Sequence, residues 1–344
     1  MPGFDIAIIG AGITGLNAAH ILHQAGHKVQ VFEKSRGLGG RLAARRTDFG
    51  IFNHGAQYAT ARHPGFIQYL ENAINYGTAE KWIAQQWCAQ PAKQAIANDP
   101  AETWYRGHPA MNKLVSPLNS GFDIQRNIRI ARITPTDHNR YQLYSFASDQ
   151  DHKNRISHGE FDGVIVTVPA PQSAELLMPL SPRFDIINDV KMAPCWAVML
   201  AFDSPSSAPF DVFSKPDPAI SWIGRNPVTE AISSPAPYEC WTIHASPCWS
   251  RDHLEEKPEN VAKYITAITK TVFAQAGIKL PVPVFSQAHR WRFARTTSPL
   301  GQSHLASADG RIIAAGDWCL GARIEAAFQS GEAAAHAMLD ALQQ

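Results

Sequence analysis

The chain has 344 residues, of which 45% are apolar, and its 31 basic residues balance 30 acidic ones. This length favours two domains, and the near-neutral charge and the lack of an apolar run of roughly 20 residues argue against a nucleic-acid or membrane partner. The five cysteines show no C-x-x-C spacing, which argues against a disulfide framework or a zinc site and favours a reducing, cytoplasmic location.

The first predicted elements are a strand, a helix and a second strand. Residues 4–9 form a nearly continuous apolar run, which is typical of a buried parallel strand. A helix is expected over residues 13–24, ended by Gly26, and a strand over residues 28–33. Because Asp5 interrupts the apolar run, we expect no signal peptide. These elements form a βαβ unit.

The middle of the chain predicts less regular structure. Residues 69–76 favour a helix, whereas residues 78–104 lack periodicity. β-Branched segments between residues 121 and 148 indicate an antiparallel meander, and residues 161–170 indicate a buried strand that ends at proline. Residues 204–237 are rich in proline and serine, which indicates long loops between strands.

The last third predicts one amphipathic helix and then a return to the α/β pattern. The helix is expected over residues 259–276. Its apolar face is formed by Val261, Ile265, Ile268 and Val272. RIIAAGD, at residues 311–317, indicates a strand, and a helix follows from about residue 324 to the end.

Three glycines mark the first strand-to-helix turn with the spacing G-x-G-x-x-G. Gly10 permits the tight turn, Gly12 lets the backbone approach a pyrophosphate, and Gly15 lets the helix pack closely on the sheet. Phosphates at this turn would meet free N–H groups and the positive end of the helix dipole. Glu33, at the end of the second strand, can accept both ribose hydroxyls of an adenosine and would repel a 2′-phosphate. This motif alone leaves FAD and NAD open.

Two further motifs narrow the cofactor. GLGGR, at residues 37–41, resembles the R-x-G-G-R segment of the flavin-dependent amine oxidase superfamily, in which the arginine contacts the pyrophosphate. RIIAAGDW, at residues 311–318, resembles the closing motif of that superfamily. The resemblance implies that Asp317 hydrogen-bonds the ribityl chain or a phosphate. It also implies that the helix N-terminus near Ile324 and Glu325 faces the flavin edge that becomes negative on reduction. FAD is therefore the expected cofactor.

The resemblance extends over nearly the whole chain to one family. The segments GAQYATAR, VKMAPCWAVMLAF, W-x-x-R-N, AHRWRFA and GDWCLGARIE together resemble the bacterial renalases. That resemblance implies non-covalent FAD and oxidation of 1,2- and 1,6-dihydro-NAD(P) to NAD(P)+, with O2 reduced to H2O2. A hydride donor needs no deprotonation, and the sequence shows no obvious acid–base dyad. The expected partners are a dihydronicotinamide dinucleotide and O2, without nucleic acid, membrane or an obligate protein partner.

The resemblance also implies an α/β fold. We expect a Rossmann-type FAD-binding domain of the glutathione-reductase or amine-oxidase type, interleaved with an α+β substrate domain. The FAD-binding domain would comprise residues 1–75, 116–180 and 286–344, and the substrate domain residues 76–115 and 181–285.

Two groups of candidate site residues follow. The residues expected to bind FAD are Gly10, Ala11, Gly12, Thr14, Gly15, Glu33, Lys34, Arg36, Gly40, Arg41, Ala56, Gln57, Tyr58, Ile130, Gly316, Asp317 and Ile324. The residues expected to form the substrate pocket are Tyr58, His244 and Trp291, with Thr60, Arg225, Asn226 and Arg292. Tyr58 and Trp291 would act as walls, and Arg225, Asn226 and His244 as polar contacts.

Other interpretations compete with these. His20 and His23 lie one helical turn apart, but no carboxylate or thiol lies near them in sequence, so we expect a solvated helix face and no metal. Cys319 could tether a flavin, although a buried structural cysteine is the ordinary alternative. A flavin amine oxidase would place a lysine near the flavin, and Lys191 is the candidate. Lastly, escort proteins of prenylated GTPases share the fold without binding flavin.

Overall fold

The computed structural model describes residues 3–88, 95–96, 102–148, 151–227 and 238–343. The chain divides into two compact units. Unit 1 comprises residues 1–40, 115–192 and 296–344, and unit 2 comprises residues 41–114 and 193–295. These units are defined by compactness alone, so the functional domain boundaries given above stay predictions.

The described residues contain twenty-one strands. In chain order they are β1 Asp5–Ile9, β2 Lys28–Glu33, β3 Ala44–Thr47, β4 Gly50–Asn53, β5 Ala59–Thr60, β6 Ala79–Lys81, β7 Gln86–Cys88, β8 Ala95–Ile96, β9 Trp104–Gly107, β10 Asp123–Arg126, β11 Ile130–Pro135, β12 Tyr141–Ser148, β13 Asp151–Phe161, β14 Gly163–Val166, β15 Lys191–Phe202, β16 Val212–Asp217, β17 Ile220–Arg225, β18 Glu239–Ala245, β19 Phe285–Ser298, β20 Leu305–Ala306 and β21 Ile312–Ala314.

The same described residues contain seven α-helices and three 3₁₀ segments. The α-helices are α1 Ile13–Gln24, α2 Pro64–Asn75, α3 Ala170–Leu177, α4 Pro247–Asp252, α5 Pro258–Gln275, α6 Asp317–Leu320 and α7 Ile324–Leu342. The 3₁₀ segments are Gly40–Leu42, Met111–Leu118 and Pro182–Asp189.

Unit 1 is built on a six-stranded sheet in the order β10-β2-β1-β14-β21-β20. β1 pairs in parallel with both β2 and β14, and β21 pairs in parallel with β14. The central strands are buried along nearly their whole length, which explains their continuous apolar sequences. This arrangement confirms the predicted Rossmann-type fold.

Helices α1 and α7 pack together in unit 1. A Cβ atom on Gly331 would collide with the carbonyl oxygen of Thr14, so glycine permits the close approach of the two helices. The Thr14 hydroxyl donates to the carbonyl of Ala327 at 2.9 Å, and the Asn17 amide donates to that of Phe328 at 2.9 Å. These contacts fix the first helix of the chain against the last.

The antiparallel strands predicted between residues 121 and 148 are confirmed for the two β-branched segments, which form β11 and β12. β10 lies parallel to β2 at the edge of the large sheet, with Ile124 opposite Val31. The antiparallel sheet consists of β11, β12 and β13. A strand as short as β10 carries no periodicity that would assign it to either sheet.

Unit 2 is centred on a seven-stranded sheet in the order β19-β15-β18-β17-β16-β7-β8. Helix α5 buries Val261, Ile265 and Val272 in the same cluster as the sheet residue Trp241, as its amphipathic pattern predicts. The predicted loop region 204–237 contains strands β16 and β17, and its residues 228–237 lie outside the described part. The stretch predicted to be irregular, residues 78–104, forms short strands where it is described.

Candidate functional site

The G-x-G-x-x-G turn between β1 and α1 has the geometry of a phosphate cradle. Gly10 adopts φ +109°, a conformation that favours glycine. A Cβ on Gly15 would collide with the carbonyl oxygen of Gly10, so the helix can pack this closely only on glycine. A Cβ on Gly12, in contrast, would meet nothing within 4 Å. The backbone is therefore open at the position where a pyrophosphate must approach.

The second glycine-rich segment lies directly beside this turn in unit 1. The Gly39 N–H donates to the carbonyl of Ala11 at 2.8 Å, and Gly12 forms an isolated parallel bridge with Gly39. Gly40 adopts φ +55°, and a Cβ on it would lie 3.4 Å from the Cα of Gly12. Two motifs that are about 25 residues apart in sequence thus form one glycine-lined surface.

Glu33 is buried at the end of β2 and is tied to the same turn. Its carboxylate accepts hydrogen bonds from the backbone N–H groups of Ala11 and Ser35, both at 2.8 Å. A carboxylate offers about four acceptor sites, so acceptor capacity remains for ribose hydroxyls. The sequence did not reveal the bond to Ala11, which depends on the turn geometry.

The remaining residues of this predicted group vary in exposure. Lys34 and Arg36 are exposed, and the Lys34 ammonium lies 3.3 Å from the Gln172 amide oxygen. Burial of its stem lowers the pKa of Lys34. Ile130 is buried in the core of unit 1. These placements leave their roles toward a cofactor as predictions.

Asp317 is buried at the start of α6 in unit 1. Its carboxylate accepts a hydrogen bond from the Thr296 hydroxyl at 3.0 Å. The preceding Gly316 N–H donates to the Ser330 hydroxyl at 2.8 Å, which joins this turn to α7. Cys319 is fully buried, and burial raises the pKa of its thiol to about 12. A protonated thiol is a poor nucleophile, which disfavours a covalent tether at this position.

Arg41, the first residue of unit 2, donates to the carbonyl of Ala294 at 3.2 Å. Its own carbonyl accepts from the Ala56 N–H at 2.9 Å. Gln57 donates through its amide to the carbonyls of Asn53 and Gly55, the latter at 3.2 Å. The segment that follows β4 is therefore held in place by its own backbone and by the chain around Arg41.

An aromatic cluster surrounds Tyr58 in unit 2. The Tyr58 ring stacks on Trp104 with 3.8 Å between centroids and 11° between planes, and it lies 5.5 Å from the Trp222 ring. The Trp82 ring is the fourth member, with 6.5 Å between its centroid and that of Tyr58. Burial, reinforced by Glu102, raises the pKa of Tyr58. These four rings, Tyr58, Trp82, Trp104 and Trp222, are called the Tyr58 cluster below.

A second group in unit 2 contains three imidazoles and an indole. The Trp291 indole N–H donates to the carbonyl of His54 at 2.9 Å, and its ring stacks on the His54 ring at 5.3 Å. The His289 ring centroid lies 4.6 Å from the centroids of both rings. The His244 ring hydrogen-bonds to the His54 backbone. His54, His244, His289 and Trp291 are called the His54 cluster below.

Burial keeps the imidazoles of the His54 cluster neutral. It lowers the pKa of His54 to about 3, assisted by the nearby His289 and Arg45. It also lowers the pKa values of His244 and His289 to about 4. At neutral pH all three rings are uncharged and are weak proton acceptors.

The two clusters are linked through adjacent strands. Trp222 on β17 lies opposite His244 on β18, and directly opposed residues of an antiparallel pair share a face of the sheet. Tyr58 and His54 belong to the same short segment after β4. The structure thus places Tyr58, His244 and Trp291 in two linked clusters of unit 2, and their role in a substrate pocket stays a prediction.

The other predicted pocket residues have established protein partners. The Asn226 side chain is buried, accepts from the Asn53 N–H at 2.8 Å and donates to the Thr242 hydroxyl at 2.9 Å. Arg292 is exposed and forms two hydrogen bonds, at 2.7 and 2.8 Å, with the Glu255 carboxylate. Thr60 ends β5 opposite Trp104. Substrate roles for these three residues stay predictions.

Sequence reasoning missed His54, His289 and the three tryptophans of the Tyr58 cluster. One signal was present, since His289 and Trp291 alternate along one strand and therefore share a face. The tryptophans come from β9, β17 and the segment after β6, and only the fold brings them next to Tyr58.

Two family comparisons agree with this arrangement. Residues 8–72 match the NAD(P)-binding Rossmann-like domain family. Residues 75–339 match the family of flavin containing amine oxidoreductases. The second match covers more than three quarters of the chain.

Individual relatives match shorter stretches. A putative L-amino-acid oxidase, YobN, from Bacillus subtilis is 36% identical over 191 residues, which are 50% of this chain and 39% of that protein. A 15-cis-phytoene desaturase from Narcissus pseudonarcissus is 31% identical over 125 residues, 36% of this chain and 21% of the desaturase. The chain therefore spans well under half the length of these relatives.

Solved structures share the fold over the whole chain. A putative protoporphyrinogen oxidase from Exiguobacterium sp. 255-15 aligns with a TM-score of 0.73 at 15% identity. Cyclohexylamine oxidase from Brevibacterium oxydans IH-35A aligns with a TM-score of 0.73 at 13% identity. Both alignments cover 100% of each chain. In the part of the chain that is described, no helix is long and apolar enough to cross a membrane.

Proposed function

Because the chain belongs to the flavin containing amine oxidoreductase family, we propose that it is an FAD-dependent oxidase of 1,2- and 1,6-dihydro-NAD(P). The products would be NAD(P)+ and, after reoxidation by O2, H2O2. The family supplies the cofactor and the oxidoreductase class. The substrate is proposed from the resemblance to renalases and from the chemistry of the side chains near Tyr58.

The residues of unit 1 fit FAD. The open backbone at Gly12 accommodates a pyrophosphate, whereas any larger residue would fill that space. Glu33 retains acceptor capacity for an adenosine ribose. Asp317 is the first residue of α6 and follows Gly316, whose N–H donates to the Ser330 hydroxyl. When bound, FAD supplies a two-electron acceptor for a hydride. The task of the protein is then to hold the substrate ring and to exclude competitors.

The neutral His54 cluster is the observation that carries the proposal. A primary amine reaches the enzyme mostly as an ammonium ion and must lose a proton before it can give up a hydride. Imidazoles with pKa values of about 3 and 4 are poorly suited to accept that proton at neutral pH. A dihydronicotinamide ring needs no such step. Neutral imidazoles and indoles suit a flat, uncharged ring with a carboxamide.

Oxidation of amines is the second candidate, and the similarity to a putative L-amino-acid oxidase favours it. Two placements oppose it. Lys191 is exposed at the start of β15, and its ammonium donates to the carbonyl of Asn188 at 2.9 Å. Amine oxidases often cage the amine between two aromatic rings, whereas the Tyr58 and Trp104 rings stack on each other with 3.8 Å between centroids.

Anaerobic mixing of the FAD-loaded protein with candidate substrates tests the proposal. The 1,2- and 1,6-dihydro isomers should bleach the flavin absorbance rapidly, whereas ordinary 1,4-dihydro-NADH and monoamines should do so slowly. A pocket that positions C2 or C6 displaces C4, and a displacement of about 1 Å can cost on the order of a hundredfold in rate.

A lysine variant distinguishes the two candidates further. Lys191→Met should leave the reaction with the isomers unchanged, because the Lys191 side chain is exposed and its ammonium donates to the carbonyl of Asn188. Rapid bleaching by an amine that is lost in Lys191→Met, with the dihydronicotinamides inert, would contradict the proposed function and establish the amine oxidase.

A further inference from the structure

Unit 2 contains a cavity of about 390 Å³ beside the Tyr58 cluster. This volume lies within the range of small-molecule sites. It is lined by Lys81, Trp82, Ile83, Arg106, Asp211, Arg225, Asn226 and Pro227. The family motifs discussed above include none of its residues except Arg225 and Asn226.

Two arginines in the lining each place the guanidinium carbon over an indole ring. The Arg106 guanidinium lies 5.1 Å from the centroid of the Trp82 ring, and that of Arg225 lies 4.9 Å from the Trp241 ring. Arg106 donates through Nε to Glu80 at 2.5 Å. Arg225 donates to the carbonyl of Ala208 at 2.8 Å. Contacts within the protein therefore limit the orientations of both guanidinium groups before a ligand binds, which reduces the entropic cost of binding.

The charges in the cavity are mixed rather than uniformly positive. Glu80 offsets Arg106, and Glu239 lies 3.4 Å from Arg225. Asp211 adds an acceptor to the lining, and Lys81 adds a third cation. A ligand that combines an anion with hydroxyl groups would find a partner for each.

The cavity also offers apolar surface. Trp82 and Pro227 line it, and Ile83 is 86% exposed, which is unusual for an isoleucine. A flat base can pack on such groups, a carboxylate such as Asp211 can accept from ribose hydroxyls, and guanidinium groups bind phosphates. These three features together are the requirements of a nucleoside diphosphate.

The Trp82 indole lies between the cavity and Tyr58. Trp82 belongs to both the cavity lining and the Tyr58 cluster, with its ring 6.5 Å from that of Tyr58. In a dinucleotide, one ribose separates the nicotinamide from the first phosphate. A nicotinamide held at the Tyr58 cluster would therefore direct its diphosphate toward this cavity.

We propose that this cavity binds the adenosine diphosphate half of the dinucleotide substrate. Its assignment to the substrate rests on the proposed function, because only a dinucleotide joins the two places. The affinity of the cavity for an adenine nucleotide can be measured independently of turnover.

Calorimetric titration of the FAD-loaded protein with ADP tests the proposal, because bound FAD already fills the cofactor site. ADP should bind at one site per chain. Arg106→Gln should weaken this binding about tenfold, the loss expected for a hydrogen bond to a charged group. Arg251→Gln, at an exposed position in α4, is the matched control and should bind ADP as the unchanged protein does.

A second variant covers the case in which Arg106→Gln fails to fold. Lys81→Glu changes an exposed side chain and should also weaken ADP binding. Absence of ADP binding at millimolar concentration, or equal binding in the Arg106, Lys81 and Arg251 variants, would overturn the proposal.

Steady-state kinetics separate this proposal from the proposed function. In Arg106→Gln, KM should rise about tenfold for the dihydronicotinamide dinucleotides and stay unchanged for the mononucleotides. An equal rise for both would also overturn the proposal. If no dihydronicotinamide reduces the flavin, the proposed function fails, and the ADP titration still decides whether the cavity is a nucleotide site.

Discussion

At the scale of single residues, Glu33 has a structural role that the sequence alone did not reveal. Its position after β2 predicted a contact to an adenosine ribose. The structure adds hydrogen bonds to the backbone N–H groups of Ala11 and Ser35, so the same carboxylate also holds the glycine turn. The side chain therefore contributes both to the shape of the turn and to its charge.

Glu33→Ala should weaken FAD retention by roughly 1.5–3 kcal/mol, because hydrogen bonds to a charged group are lost and the turn loses its anchor. Flavin content and the dissociation constant of FAD, measured by fluorescence, check this. Asp137→Ala, at an exposed position of unit 1, is the control and should retain FAD fully. Unchanged FAD affinity in Glu33→Ala would show that Glu33 ends β2 without contributing to FAD binding.

Site residues could be recognised from the sequence only where they belong to a motif of closely spaced residues. Gly10, Gly12 and Gly15 were recognised because the motif and its strand-turn-helix context lie within a few residues. His54 was not recognised, because its pKa is lowered mainly by burial and then by charges such as that of His289, which lies on a strand more than 180 residues further along the chain. Environment of this kind is a product of the fold.

At the scale of elements, glycines in the strand-turn-helix unit of β1 and α1 are required for two different reasons. Gly15 is needed because the helix approaches the carbonyl of Gly10, whereas Gly12 has φ −74°, which any residue adopts, and open space beside it. One glycine serves packing within the protein, and the other leaves room for a ligand.

Gly15→Ala should lower the free energy of unfolding of the apoprotein by about 1–3 kcal/mol, because the added methyl group collides with backbone. Gly12→Ala should change that free energy by less than about 0.5 kcal/mol and still lose FAD, because the methyl group occupies the pyrophosphate position. Urea unfolding of the apoprotein and FAD titration of each variant measure the two effects. Equal FAD affinity in Gly12→Ala and the unchanged protein would contradict the assignment.

Element predictions held where a periodic pattern was long and failed where it was short. Helix α1 and strand β2 have the predicted bounds, and α5 buries the predicted face. The pairing of β10 was not predicted, because four residues carry no information about their partner strand. Pairing with β2, about 90 residues earlier, is decided by tertiary packing.

At the scale of the whole molecule, the three imidazoles of the His54 cluster make stability depend on pH. Their pKa values lie at about 3 to 4 in the folded chain and near 6.5 in the unfolded chain. Between these values the unfolded chain binds more protons. The free energy of unfolding should therefore decrease as pH falls from about 6.5 to 4, by up to about 1.4 kcal/mol per pH unit for each ring.

Urea unfolding of the FAD-saturated protein between pH 7 and pH 5 measures this dependence before most carboxylates titrate. His54→Gln should flatten the slope, whereas His138→Gln, which changes an exposed histidine, should not. A slope that is the same in both variants would show that another group causes the loss of stability.

The interleaving of the two units has a consequence for the order of events during synthesis. Unit 1 draws its sheet from β1, β14 and β21 and its helical layer from α1 and α7, so its first and last elements are more than 300 residues apart. Translation proceeds from the N-terminus, and the nascent βαβ unit must wait for β21 and α7 to emerge from the ribosome before its apolar faces are covered. Unit 1 can therefore bind the flavin only after β21 and α7 have been synthesised, so a flavin-free nascent chain precedes the complete FAD-binding unit.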